Sequence, residues 1–174
     1  VSNLKNLGAA PKEGVLVYMD LEDQDLYQRR WWSLLEAIAR KLPNAKKAEP
    51  YTEANASAQF RAALERTGGS RRVVIALDEI EHITPGERLR MRPHWDQDFI
   101  ELWKTIRAIQ NDNRHVSFVV CGTNAMPVEI AQISDRDNPL FGMVTKRYIP
   151  NFNLTEVRSM VRTLSRLMGL NFDE

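Results

Sequence analysis

Residues Val73 to Leu77 form an unbroken apolar run that closes on two adjacent acids, Asp78 and Glu79. A run of this length and β-branched content, with Gly68-Gly69-Ser70 before it, reads as a strand. Its lack of polar alternation is typical of a parallel strand covered on both faces. Two further runs share its character: Val15 to Leu21 and Val116 to Cys121. Between them lie segments of helical period. Tyr27, Trp31, Leu34, Leu35, Ile38 and Leu42 recur at spacings of three and four before Pro43-Asn44 ends the pattern. A weaker pattern holds Phe60, Ala63 and Leu64, and a stronger one from Asp96 to Gln110 holds Phe99, Trp103, Ile106 and Ile109. Alternating strands and helices predict an α/β layer fold with a mainly parallel sheet.

Toward the C-terminus a short helix is expected from Ala125 to Gln132, with Pro127 in its first turn. A fourth strand is expected over Met143 to Ile149. A last helix follows, capped by Asn153 and Glu156, with Val157, Met160, Val161, Leu164 and Met168 on its apolar stripe and Gly169 at its end. The 174 residues suffice for one core, and a net charge of +1 gives no global attraction to nucleic acid or membrane. No apolar run reaches the roughly 18 residues of a membrane span. The single cysteine, Cys121, fits a reducing cytoplasm and reads as an apolar filler. His82 and His94 are too isolated to suggest zinc, and one ring of Trp31-Trp32 should face the core and the other the surface.

In an open parallel sheet, ligands gather outside the carboxyl ends of the strands. Asp78 and Glu79 stand at such an end and leave it in different directions, so one can hold a metal while the other polarises a water. The plainer reading is that Asp78 caps the following turn. The third strand ends in the small polar cluster Cys121-Gly122-Thr123-Asn124, which is either a phosphate-sensing loop or a turn rich in capping residues.

Together, Val73–Glu79, Phe118–Asn124, the segment Asp135-Arg-Asp-Asn-Pro-Leu-Phe-Gly142, and Lys146–Pro150 with its following helix resemble AAA+ and STAND P-loop ATPases, particularly the prokaryotic branch related to origin-recognition ATPases. The first segment resembles a Walker B strand and the second a sensor-1 strand. The resemblance spans Val15 to Phe172 and implies a three-layer P-loop core over residues 1–150, with sheet order 5-1-4-3-2, and a helical lid beginning over 151–174. It implies ATP and Mg²⁺ as cofactors, Asp78 as the metal ligand, Glu79 as general base, and Asn124 or Thr123 as the nucleotide sensor. Arg136 would be an arginine finger acting across a self-association interface, the plainer reading being a solvated loop arginine; Arg147 is the competing candidate, although its place near a strand end favours a structural ion pair. Arg88, Arg90 and Arg92 could contact DNA or a partner, or form a solvated loop. The activity implied is ATP hydrolysis driving a conformational switch or assembly. The alternative is a non-hydrolysing, nucleotide-gated scaffold or a DNA- or protein-binding module.

No G-x-x-x-x-G-K-[ST] motif occurs, and Gly8-Ala-Ala-Pro-Lys-Glu-Gly14 has the wrong spacing and precedes a strand. The phosphate loop and strand 1 of the implied order are therefore expected upstream of Val1. On its own, the chain is expected to bind ATP weakly or not at all.

Overall fold

The computed structural model describes residues 14–45, 49–67, 71–86 and 93–170. Arg88, Arg90 and Arg92 lie outside the described residues. The chain divides into two compact units between Val144 and Thr145, which are described separately.

In the first unit, β1 (Val15–Asp20), β2 (Val73–Asp78) and β3 (Val116–Val120) form a parallel sheet in that order. Val15, Val73 and Val116 share one level of the ladder, and Val17, Ile75 and Phe118 share another. Because strand side chains alternate faces, this register puts Val17, Met19, Val73, Ile75, Leu77, Val116 and Phe118 on one side, all buried. The opposite face carries Leu16, Tyr18, Val74, Ala76, Ser117 and Val119. It is only half-covered, and Val119 is 45% exposed. The expectation that both faces of these strands would be buried therefore holds for one face among the described residues. β3 is one of the two outer strands of this sheet, and its sequence, Val-Ser-Phe-Val-Val, contains no charge and no proline.

The buried face shares one core with three helices: α2 (Trp31–Arg40), α3 (Ala56–Arg66) and α4 (Trp95–Asp112). The four-residue α1 (Gln24–Tyr27) precedes them and is capped by the Asp23 side chain. Trp95, Phe99, Trp103, Ile106 and Ile109 line the inner face of α4, each fully buried. Burying side chains of this size contributes about 1.5–3 kcal/mol apiece. Trp31 faces the core. Trp32 is half-exposed, and the Arg30 guanidinium sits 4.4 Å from the centre of its ring. Arg61 on α3 is also ion-paired with Asp112 at the end of α4.

One polar group organises the helix layer. Asp98 on α4 is 1% exposed, and its carboxylate accepts from Arg30 Nε at 2.7 Å and Nη2 at 2.9 Å. It also accepts the Trp31 backbone N–H at 3.0 Å. Arg30 is the N-cap residue of α2 and makes no side-chain cap of its own. Asp98 thus supplies from another helix the acceptor that an N-terminus requires.

Three expectations are corrected further along the chain. The short helix α5 covers only Met126–Glu129, and Gln132–Ile133 (β4) instead pairs with Arg136–Asp137 (β5) in an antiparallel hairpin. Ser134 and Asp135 turn this hairpin with φ of 50° and 58°, so both central residues are left-handed as a tight hairpin requires. Met143–Ile149 is not a strand. Met143 and Val144 are partly buried against the core, and no ladder forms at residues 145–149. The strand propensity of Val144, Tyr148 and Ile149 is insufficient without a partner to take up the backbone groups. Cys121 is also exposed rather than buried, because β3 stops at Val120.

The second unit is dominated by α6 (Leu154–Leu167). Its capping box forms as the sequence predicts. Asn153 accepts the Glu156 N–H at 3.0 Å, and Glu156 accepts the Asn153 N–H at 2.8 Å. Gly169 leaves the helix at φ 72°. The predicted apolar stripe is present and exposed.

Replacing Asp98 with alanine would remove the cap of α2 and leave Arg30 without its partner. Urea denaturation should show a loss of about 2–4 kcal/mol. Asp98→Asn, which keeps an acceptor for Trp31, should lose less.

Candidate functional site

The carboxyl ends of the three strands are held in fixed relation by bonds that continue past the ladder. Leu21 N–H donates to the Asp78 carbonyl at 3.0 Å, Cys121 N–H to Leu77 at 2.9 Å, and Ile80 N–H to Cys121 at 3.0 Å. This brings Asp78 and Glu79 beside the Cys121–Asn124 segment, as the sequence suggests.

Asp78 is half-buried and already has two partners. Tyr18 Oη, on β1, donates to Oδ2 at 2.7 Å, and the Glu79 N–H donates to Oδ1 at 3.1 Å. The Tyr18 phenol is pushed up to about 12, chiefly by the hydrogen bond to the Asp78 carboxylate, then by burial and by the charges of Asp78 and Asp20. Glu79 takes a left-handed backbone conformation, φ 54° and ψ 47°, at the entry to a single 3₁₀ turn over Ile80–His82. A non-glycine residue is uncommon there, and such conformations cluster at functional sites. Burial raises the Glu79 carboxyl above its ordinary range, and the neighbouring charges of Glu81, Asp78 and Glu22 add to this. His82 stacks on Tyr27 at 5.7 Å, a packing role.

Sequence reasoning missed the most enclosed acid of the group. Glu81 is 6% exposed, and its Oε1 accepts both the Thr123 backbone N–H at 2.9 Å and the Thr123 hydroxyl at 2.5 Å. Its other oxygen, Oε2, is buried with no hydrogen-bond partner. Burial by itself would raise this carboxyl, but the Thr123 hydroxyl and backbone amide hold it below its ordinary range. Glu81 therefore contributes stability above the usual carboxylate range, lost as pH falls through its lowered value. A Cβ placed on Gly122 would lie 2.2 Å from Glu81 Oε2, so the carboxylate reaches Thr123 only because residue 122 has no side chain. The sequence signal was a glycine beside a threonine on one strand end and an acid shortly after the other, a pairing visible only once the register is known.

The remaining candidates divide between this locus and others. Asn124 is exposed, and its Oδ1 accepts the Met126 N–H at 2.9 Å, which secures the start of α5. Arg136 is on β5 and lines a cavity of about 560 Å³ with Arg30, Pro93, His94, Asp96 and Gln97, none of them at the strand ends. Arg147 is an exposed residue of the second unit. Among the described residues no group of three or more His, Cys, Asp or Glu is placed to hold a metal ion, and no helix is long and apolar enough to cross a membrane. Mg²⁺ is commonly held by one or two carboxylates together with substrate phosphates. Asp78, the acid expected to hold Mg²⁺, has both oxygens engaged, by the Tyr18 hydroxyl and the Glu79 N–H.

No protein-family model matches the chain, and no curated protein or solved structure is significantly similar to it.

Two measurements probe this locus. Gly122→Ala should cost about 1–3 kcal/mol in urea denaturation, the usual range for overpacking. In a Glu81→Ala background the same substitution should cost less, because the 2.2 Å approach to Oε2 is gone and only the 3.0 Å approach to Ile80 Cγ2 remains. Spectroscopic titration of Tyr18 should give a value near 12, falling toward the ordinary 10 in Asp78→Asn. Since the folded value is the raised one, the stability from this contact should be complete below about pH 10 and vanish as pH rises through about 12.

Proposed function

We propose that the chain is part of an ATP-handling P-loop domain of the AAA+/STAND kind, in which nucleotide occupancy or hydrolysis drives a conformational switch or assembly. The observation that carries this reading is the position of Asp78 and Glu79, at the carboxyl end of the central strand of a parallel sheet and beside the Cys121–Asn124 segment. The sub-order β1-β2-β3 agrees with the 2-3-4 portion of the order such domains use.

In this reading Asp78 would hold Mg²⁺, which supplies charge neutralisation on the transferred phosphate. Glu79 would orient and deprotonate the attacking water. Its raised carboxyl suits a base working nearer neutrality than an ordinary glutamate. Thr123 or Asn124 would sense the phosphate. Asn124 keeps its amide nitrogen for that purpose, since the bond to Met126 uses only the oxygen. Arg136 would act in a neighbouring subunit's site. The phosphate cradle would come from residues outside those described, next to the open edge of β3.

A second reading, a nucleotide-gated or degenerate scaffold that binds DNA or protein and hydrolyses little, draws on one observation. Both donors of Thr123 are already taken by Glu81.

Phosphate release from ATP by the full-length protein separates the two. Glu79→Gln should reduce kcat by roughly a hundredfold or more while leaving Mg-ATP affinity within a few-fold. Undiminished turnover in this variant would remove Glu79 as the base. A wild type with no turnover would establish the scaffold.

A further inference from the structure

Thr123 faces two roles that exclude one another. A threonine has two donors to offer an anion, its hydroxyl and its backbone N–H. Here both go to one oxygen, Glu81 Oε1, at 2.5 Å and 2.9 Å. A phosphate oxygen only accepts hydrogen bonds, so Thr123 would have to leave Glu81 to donate to one. Leaving is costly. Glu81 is 6% exposed and its Oε2 has no hydrogen-bond partner, so freeing Oε1 would strand a buried carboxylate with neither oxygen satisfied.

The surroundings hold the pair together. Ile80, next to Glu81, is bonded through both of its backbone groups. Its N–H donates to the Cys121 carbonyl at 3.0 Å, and its carbonyl accepts the Thr84 hydroxyl at 2.9 Å. Gly122 has no side chain to stand in the way of the carboxylate. The next residue, Asn124, is exposed and spends only its Oδ1, on the Met126 N–H.

We propose that Glu81 is a positioning residue of the nucleotide site, and that Thr123 is the anchor it grips and not a phosphate contact. The inference rests on the ATP-handling reading. Glu81 touches no reacting atom. It acts through Thr123, fixing where residues 122–124 stand beside Asp78 and Glu79, and it leaves Asn124 as the group of that segment free to meet a phosphate.

The test is a double-mutant cycle in the full-length protein with Glu81→Ala and Thr123→Val, reading kcat and KM for Mg-ATP and amide exchange over residues 121–126. Each single variant should lower kcat by about tenfold or more through misplacement of the segment, with KM changed only a few-fold. Thr123→Val should add little in the Glu81→Ala background, because both remove one interaction. Thr123→Ser, which keeps both donors, should recover most of the kcat lost in Thr123→Val. Exchange over 121–126 should quicken at least about tenfold in Glu81→Ala while the core strands keep their protection. The proposal is overturned if the two effects add, or if Thr123→Val raises KM strongly and Glu81→Ala does not, since Thr123 would then touch the nucleotide itself. It is also overturned if Glu81→Ala quickens exchange and leaves kcat unchanged, a purely structural result. A wild type without turnover would fail the ATP-handling reading, and exchange alone would then judge the grip on Thr123: unchanged protection of 121–126 in Glu81→Ala would refute it too.

Discussion

The first unit depends on β2 being bonded on both sides. A central parallel strand cannot shift register without breaking two ladders, and a one-residue slip would turn Val73, Ile75 and Leu77 out of the core. The bonding runs beyond the strand through Leu21, Cys121 and Ile80, so the chain is still restrained where Asp78 gives way to Glu79. The direction in which the two acids leave the sheet is therefore a consequence of the ladder. The left-handed conformation of Glu79 is the local cost of turning from β2 into the 3₁₀ turn while keeping the Ile80–Cys121 bond.

Two buried carboxylates fix relations that apolar packing leaves free. Hydrophobic contact determines that α4 lies near α2, and Asp98 determines where the N-terminus of α2 stands along it, because three donors must converge on one group. Glu81 does the same for the end of β3, where its Oε1 accepts two hydrogen bonds from Thr123. Each is reached by a sequence distant from it, which makes both bonds tertiary in origin and specific in geometry.

Periodicity made much of the fold legible. The three strands, the helices around Trp31–Arg40 and Trp95–Asp112, and the capped helix after Asn153 all follow from local pattern and end signals. What local pattern could not supply was partnership. Asp98 reads in the sequence as an ordinary first-turn acid of α4, and only the fold shows that it serves another helix. Glu81 looks like a solvated neighbour of Glu79. Met143–Ile149 has strand-forming residues and no strand, while Gln132–Asp137 has little apolar alternation and forms a hairpin through its Ser134-Asp135 turn. Of the candidate site, the adjacency of Asp78–Glu79 to Cys121–Asn124 was readable, because neighbouring parallel strands end at one level. The cavity beside Arg136 was not, since its lining comes from three separate segments.

The outer edge of β3 bears on how this polypeptide behaves in bulk. Its backbone groups face outward with no lysine, proline or bulge on the strand to discourage another strand from adding, and the half-bare sheet face lies next to it. Such an edge is a template whose occupancy depends on what reaches it first. Among the described residues nothing pairs with that edge, so in concentrated solution Val116–Val120 is a segment open to strand addition from another molecule.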